Sequence, residues 1–288
     1  MNSDWQAYLQ TLTKELGVEL AHEFVGSLHT QSNGSQKTAA RFFYQMGLKW
    51  APLMQAWQQW LVESAENYTT VVILRDAKPL LALPNARNDW KRLYLNRLIC
   101  GIPDELSGDT SGKHHPLLSQ YIIESEWEEE RIRFVDSGCY GTIILQLHKL
   151  GMKLNQPFFF FSKNPYIRGF LNETGVTMEE GTILNDSLEC VFPHMVQRPS
   201  ELREYNGKIE AVLRSSDLLS VWFGTAAMQG LRDADAYSGI STKEAIQALL
   251  VLSQKAREGN FTGVLGHESP EWSGKKEFFA RWPQELRW

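Results

Sequence analysis

The chain has 288 residues, 43% of them hydrophobic and 22% charged, with a formal net charge of −5. This is the composition of an ordinary globular protein and excludes the disordered, fibrous and membrane-spanning classes. The mild acidity argues against broad nucleic-acid binding, which shows itself as a basic face.

The N-terminal stretch MNSDWQAYLQTLTKELG has acidic and polar residues where a secretory signal needs a basic start and an apolar core. No apolar run approaches the roughly 20 residues of a membrane helix, so a cytoplasmic protein without membrane contact is expected. Cys100, Cys139 and Cys190 are isolated and form no CxxC pair, which reads as reduced thiols.

In chain order, WQAYLQTLTKEL and TAARFFYQMGLKWAPLMQAWQQWLVESAE carry apolar residues at three- and four-residue intervals, predicting helices separated by the polar break HTQSNGSQKT. Trp50, Trp57 and Trp60 fall near one helical face, either as packing anchors or as an aromatic wall for a flat ligand. Pro52 marks a helix start or a kink.

The period then changes. TTVVILRD, RLYLNR, IRFVDSG and PFFFFSK are short β-branched or aromatic runs bounded by charge, glycine or proline, and each predicts a strand. Between the last two, TIILQLHKLGMKL predicts a helix closed near Gly151. Strand, loop, helix and strand make a βαβ unit, so the expected fold is α/β with a parallel, Rossmann-like sheet.

Beyond Asn172, LNDSLECVFP is a weak strand candidate, and SDLLSVWFGTAAMQGLRDA and STKEAIQALLVLSQKAREG predict helices. The second of these opens on Ser241, Thr242 and Glu244, a capping region. The tail GHESPEWSGKKEFFARWPQELRW reads either as a docked arm or as a disordered end. The expected organisation is a helical region over 1–66, an α/β phosphate-binding core over 67–200 and a mainly helical region over 201–288.

Ligands of parallel sheets bind at the carboxyl ends of the strands, which places Arg75, Asp76, Asn96, Arg97 and Asp136 near one edge. The loop DSGCYGT feeds a helix N-terminus, where unpaired N–H groups and a partial positive charge favour an anion. Gly138 and Gly141 would let the backbone approach a phosphate, with Cys139 and Tyr140 between them, and Ser137 and Thr142 would donate hydroxyls. Asp136 is placed either for a ribose hydroxyl or for Mg²⁺. The same residues also make an ordinary capped turn. After the first strand, Arg75, Asp76 and Lys78 set two cations beside a carboxylate, suited to a diphosphate or simply a solvated turn.

Lys113, His114 and His115 sit in the Gly/Ser-rich loop DELSGDTSGKHHPLL, either a flap over a substrate or a plain surface loop. Cys139 lacks the following arginine of a cysteine-phosphatase loop and reads as a packed thiol. Glu189 is a candidate base or a strand-end carboxylate.

VVILRDAKPL followed by FVDSGCYGTIILQLHKLG resembles the phosphoribosyltransferase superfamily over about residues 69–165. Of that family's pair of adjacent acidic residues, only Asp136 has a counterpart. The resemblance implies an enzyme that binds phosphoribosyl pyrophosphate with Mg²⁺ and transfers the glycosyl group to an acceptor the sequence does not identify. It implies Arg75 and Lys78 on the leaving pyrophosphate, and Asp136 at the sugar and the metal. RDAKPL, LYLNR, VDSGCYGT and a later LE are also similar to an uncharacterised domain that follows haloacid-dehalogenase-like domains in bacterial surface-polysaccharide proteins, although this chain has no DxDGT loop. A phosphohydrolase and a non-catalytic nucleotide-binding or assembly module are the alternatives, and self-association is left open.

Overall fold

A computed structural model describes residues 33–64, 68–74, 77–102, 113–124, 131–192, 198–214, 218–234, 239–258, 279 and 281–287. Helix α1 (Asn33–Glu63) leads to strand β1 (Thr69–Ile73), a 3₁₀ turn (Lys78–Ala82) and β2 (Lys91–Leu93). Helix α2 (Leu118–Glu124), β3 (Ile132–Asp136), α3 (Thr142–Lys149), β4 (Phe158–Phe159) and β5 (Arg168–Gly169) follow. Next come α4 (Met178–Val191), the strands β6 (Arg198–Tyr205) and β7 (Lys208–Arg214), and helices α5 (Leu218–Asp233) and α6 (Thr242–Glu258).

The first five strands form one parallel sheet in the order β2-β1-β3-β4-β5. Side chains alternate between two buried layers. Val72, Leu74, Val135, Phe158 and Phe160 face one core, while Val71, Ile73, Ile132, Phe134 and Phe159 face the other. Burial on both faces is why these strands read as continuous apolar runs. From β1 to β2 the chain crosses by the 3₁₀ turn on the first face, through Leu80 and Ala82. It returns to β3 and on to β4 through α2 and α3 on the second face, with Leu118, Ile122, Ile144 and Leu147. Opposite faces for opposite directions keep every crossover the same hand.

Helices α1, α4, α5 and α6 cover the first face. Trp50 and Trp57 are fully buried there, with ring centroids 6.1 and 5.1 Å from Phe160. Trp60 lies 5.1 Å from Phe158. These three tryptophans are packing anchors rather than a ligand wall. Pro52 lies within α1 and does not start it. The expected N-terminal helix WQAYLQTLTKEL falls outside the described residues.

Three further expectations change. Of LNDSLECVFP, residues 184–191 are not a strand but the second half of α4, which begins at a capping box in which the Thr177 hydroxyl accepts from Glu180 N and Glu180 accepts from Thr177 N. The strand expected over RLYLNR ends at Leu93, because Asn96 turns the chain: its Oδ1 accepts from Ile99 N at 2.9 Å and its Nδ2 donates to Pro199 O. Residues 198–214 form an antiparallel hairpin through residue 200, turned by Asn206 and Gly207, both at positive φ.

The Ser241–Glu244 capping region forms as expected. The end of the tail docks: Trp282 is buried on the second face and donates from Nε1 to Leu286 O at 2.7 Å. No described helix is long and apolar enough to cross a membrane.

Candidate functional site

In a sheet wound in the order 2-1-3-4-5, the crevice given to ligands opens outside the carboxyl ends of β1 and β3, where successive connections leave in opposite directions. The segment after β3 is DSGCYGT. Its carbonyls are spent inside the protein. Phe160 N donates to Asp136 O at 3.0 Å, Phe161 N to Ser137 O at 3.0 Å and Lys163 N to Cys139 O at 2.9 Å. The Asn164 amide donates to Tyr140 O at 3.0 Å. What remains for a ligand is the loop's N–H groups and side chains, a donor set suited to an anion.

The two glycines serve the fold as much as any ligand. Gly138 has φ +133° and Gly141 has φ +80°, conformations that side chains disfavour. A Cβ at Gly138 would overlap the Phe161 carbonyl oxygen, and one at Gly141 would press on Ile167 and Trp282. The space beside each Cα is therefore filled by protein, and a phosphate would have to meet the loop from its N–H side. Gly141 is the N-cap of α3, and Thr142, half-buried, is its first residue.

Asp136 is 8% exposed and its Oδ1 accepts from Ser137 N at 2.8 Å. Ser137 is fully buried, and its hydroxyl has no hydrogen-bond partner among the described residues. A buried unsatisfied hydroxyl costs about 1–3 kcal/mol, so its presence at this edge calls for an explanation.

The charges that act on the Cys139 thiol identify its neighbours. Burial pushes this thiol up to about 12; Lys163 and Arg97 pull the other way, while Glu189 and Asp186 raise it further. Arg97 and Glu189, expected from sequence, and Lys163 and Asp186, which sequence reasoning missed, thus all act electrostatically on Cys139. Asp186 and Glu189 stand three apart on α4 and so share a helix face. Glu189 accepts from the Asn185 amide at 3.0 Å. Lys163 follows β4 and lies with Nζ 5.6 Å from the Tyr140 ring centroid. Tyr140 in turn lies 6.2 Å from Phe279 of the tail.

Other candidates lie elsewhere or outside the described residues. Lys78 packs by α5, where burial and then the Arg232 charge lower its pKa. Asn96 is buried and holds the chain after β2, as described above. Lys113 and His114 are exposed, their backbone running against Gly101, and His115 N donates to Ile99 O at 2.8 Å. Arg75 and Asp76 fall outside the described residues.

A thiol held at about 12 is not a nucleophile at neutral pH, since only about one part in 10⁵ is thiolate at pH 7. Cys100 is pushed up to about 12 by burial as well. Both are expected to resist iodoacetamide at pH 7 in the native protein and to react in denaturant, as read by peptide mass mapping. Rapid native alkylation of Cys139 would reinstate it as a candidate nucleophile.

Among the described residues, no group of three or more His, Cys, Asp or Glu side chains is placed to hold a metal ion. The chain therefore has a five-stranded parallel, Rossmann-like core of the kind used for nucleotides and phosphates, with charged residues at its carboxyl edge. No protein-family model matches this chain, and no curated protein matches its sequence significantly.

Proposed function

We propose that the carboxyl edge of the sheet binds the diphosphate end of a phosphorylated sugar, phosphoribosyl pyrophosphate with Mg²⁺, and that the chain is a phosphoribosyltransferase-like enzyme. The observation that carries this reading is a coincidence at the switch point. The crevice that a doubly wound sheet offers to ligands opens at the loop where Ser137 keeps a buried hydroxyl without a partner among the described residues. The resemblance of the two loops to that superfamily points the same way.

The need for a metal follows from charge. Asp136, Asp186 and Glu189 set three carboxylates beside Arg97 and Lys163 among the described residues at this edge, and a divalent cation would offset their repulsion of a diphosphate. Mg²⁺ is held by one or two carboxylates and by the phosphates themselves, with waters kept, and does not require a cluster of three protein ligands. The hard carboxylate oxygens of Asp136 at the strand end fit it. When bound, it would neutralise the leaving diphosphate.

The chain's own residues have separate parts in this reading. Arg97 and Lys163 set positive charge beside the diphosphate, and Arg75 and Lys78 belong to the segment after β1, the other half of the switch point. Glu189 takes the proton of the acceptor. The bond from the sugar C1 to the diphosphate oxygen breaks with its electron pair leaving on oxygen, while a lone pair of the acceptor forms the new bond at C1.

Ser137→Ala tests the reading. Removing an unsatisfied hydroxyl is expected to raise ligand-free stability by about 1 kcal/mol. The same change should reduce the stabilisation given by phosphoribosyl pyrophosphate with Mg²⁺ in thermal unfolding. Equal ligand stabilisation in the variant, or none in the wild type, would remove the support. Phosphate release without an acceptor would identify a hydrolase instead, and Mg²⁺-dependent binding without turnover a ligand-sensing module.

A further inference from the structure

A cleft of about 330 Å³ is lined by the β4–β5 connection, Lys163 included, and by the first residue of α4. Its size is at the lower end of small-molecule sites. The wall is rigid, because its amides are already paired. Asn172 clasps the Ser162 backbone, accepting from its N–H at 2.9 Å and donating to its carbonyl at 2.9 Å. Asn164 donates to Tyr140 O and accepts from Tyr166 N. Pro165, Ile167 and Met178 supply apolar lining, with Met178 53% exposed at the rim.

The charges of this cleft are unequal in availability. Arg168 is committed: its Nε and Nη2 lie 2.7 and 3.0 Å from the two Glu173 oxygens, and Glu173 also accepts from Trp60 Nε1 at 2.8 Å. Glu173 is held below its ordinary pKa despite its partial burial, by Arg168 and Trp60, so its charge is spent on them. Lys163 makes no ion pair with any carboxylate among the described residues, its nearest recorded partner being the Tyr140 ring. Among the described residues, the charged side chain that lines this hollow without an ion pair is thus Lys163. A single point cation beside apolar lining and satisfied amides suits a monoanion with an apolar body better than a phosphate, which carries more charge and needs several donors.

We infer that this cleft binds the acceptor of the transfer reaction, and that the acceptor is a small carboxylic acid whose carboxylate pairs with Lys163. The acceptor role rests on the reading of the carboxyl edge given above; the carboxylate site itself does not. Lys163 is the joint between the two. Its charge acts on Cys139 and it also lines the cleft, so one side chain belongs to both places.

The test is ligand-observed NMR on the full chain, with aromatic and aliphatic fragments each supplied as the carboxylic acid and as the matched primary amide. Acids are expected to bind and amides not. Lys163→Met should weaken the acids about tenfold or more, the scale of a lost charge-assisted hydrogen bond. Met178→Trp fills the rim and should abolish acid binding while leaving Mg²⁺-dependent stabilisation by phosphoribosyl pyrophosphate intact. Equal binding of acids and amides, hits that survive Met178→Trp, or no hits at all would overturn the site. Acid binding of the expected kind in a protein that no phosphate ligand stabilises would overturn the acceptor role alone.

Discussion

Gly138→Ala is expected to cost about 4 kcal/mol of folding stability, the sum of two separable terms. The backbone there has φ +133°, and holding a side chain in such a conformation costs about 1–3 kcal/mol. The added Cβ would also overlap the Phe161 carbonyl oxygen, and overpacking of this kind costs about 1–3 kcal/mol more. Relief by movement is blocked, since Phe161 N donates to Ser137 O and the residues on either side are stitched to the same segment. Against a total stability of about 5–15 kcal/mol, this is a large fraction. Gly151→Ala is the control, because Gly151 has φ +86° and open space where its Cβ would sit. It should lose only about 1 kcal/mol. Urea denaturation of the two variants measures both. Equal losses would show that conformation alone, and not the contact with β4, makes Gly138 necessary.

The same residues explain how far this fold is legible from sequence. β1 and β3 are buried on both faces, and TTVVI and IRFVD appear as short runs rich in β-branched and aromatic residues, bounded by charge. The helix after β3 shows its period plainly in TIILQLHK, and Ser241 and Glu244 announce α6. Helix α4 is harder to see, because Asn185, Asp186 and Ser187 are buried polar residues that interrupt its stripe of Ile183, Leu184, Leu188 and Val191. Two local signals outweigh that interruption: the Thr177-x-x-Glu180 capping box, and Asn206-Gly207 for the hairpin that follows. Both are written in the sequence, and both rest on single residues rather than on periodicity.

The candidate site divides in the same way. Asp136 and Arg97 follow strands, and the rule that ligands meet strand ends finds them. It also reaches Lys163 once the strand over PFFFF is drawn, because the lysine stands where that run ends. Asp186 lies beyond any such rule: only when residues 178–191 are a helix do Asp186 and Glu189 share a face. Conversely, Lys78 stands within four residues of Arg75 in sequence, yet it packs against α5 beside Arg232. Proximity along a loop says little about where a long side chain finds its neighbours.

Asp136→Asn separates the charge at this edge from its shape. The asparagine oxygen can still accept from Ser137 N, as Oδ1 does at 2.8 Å, so the loop after β3 should keep its turn. What is lost is one negative charge, 8% exposed, at the end of the central strand. A ligand at a hundred times its dissociation constant adds about 2.7 kcal/mol to the folded state. In a chain of 288 residues that is a rise in Tm of roughly 4–5 °C. With phosphoribosyl pyrophosphate and Mg²⁺, the wild type should show this rise and Asp136→Asn should lose most of it. Without Mg²⁺ neither protein should show this rise, and any remaining response should be the larger in Asp136→Asn, because the wild-type carboxylate then repels the diphosphate instead of bridging to it through the metal. Any glycosyl transfer should fall on the order of 10²-fold or more in the variant if the charge is used in the transition state. An unchanged Mg²⁺-dependent rise in Asp136→Asn would mean that the ligand is bound without the carboxyl end of β3, and the reading of the switch point would fail with it.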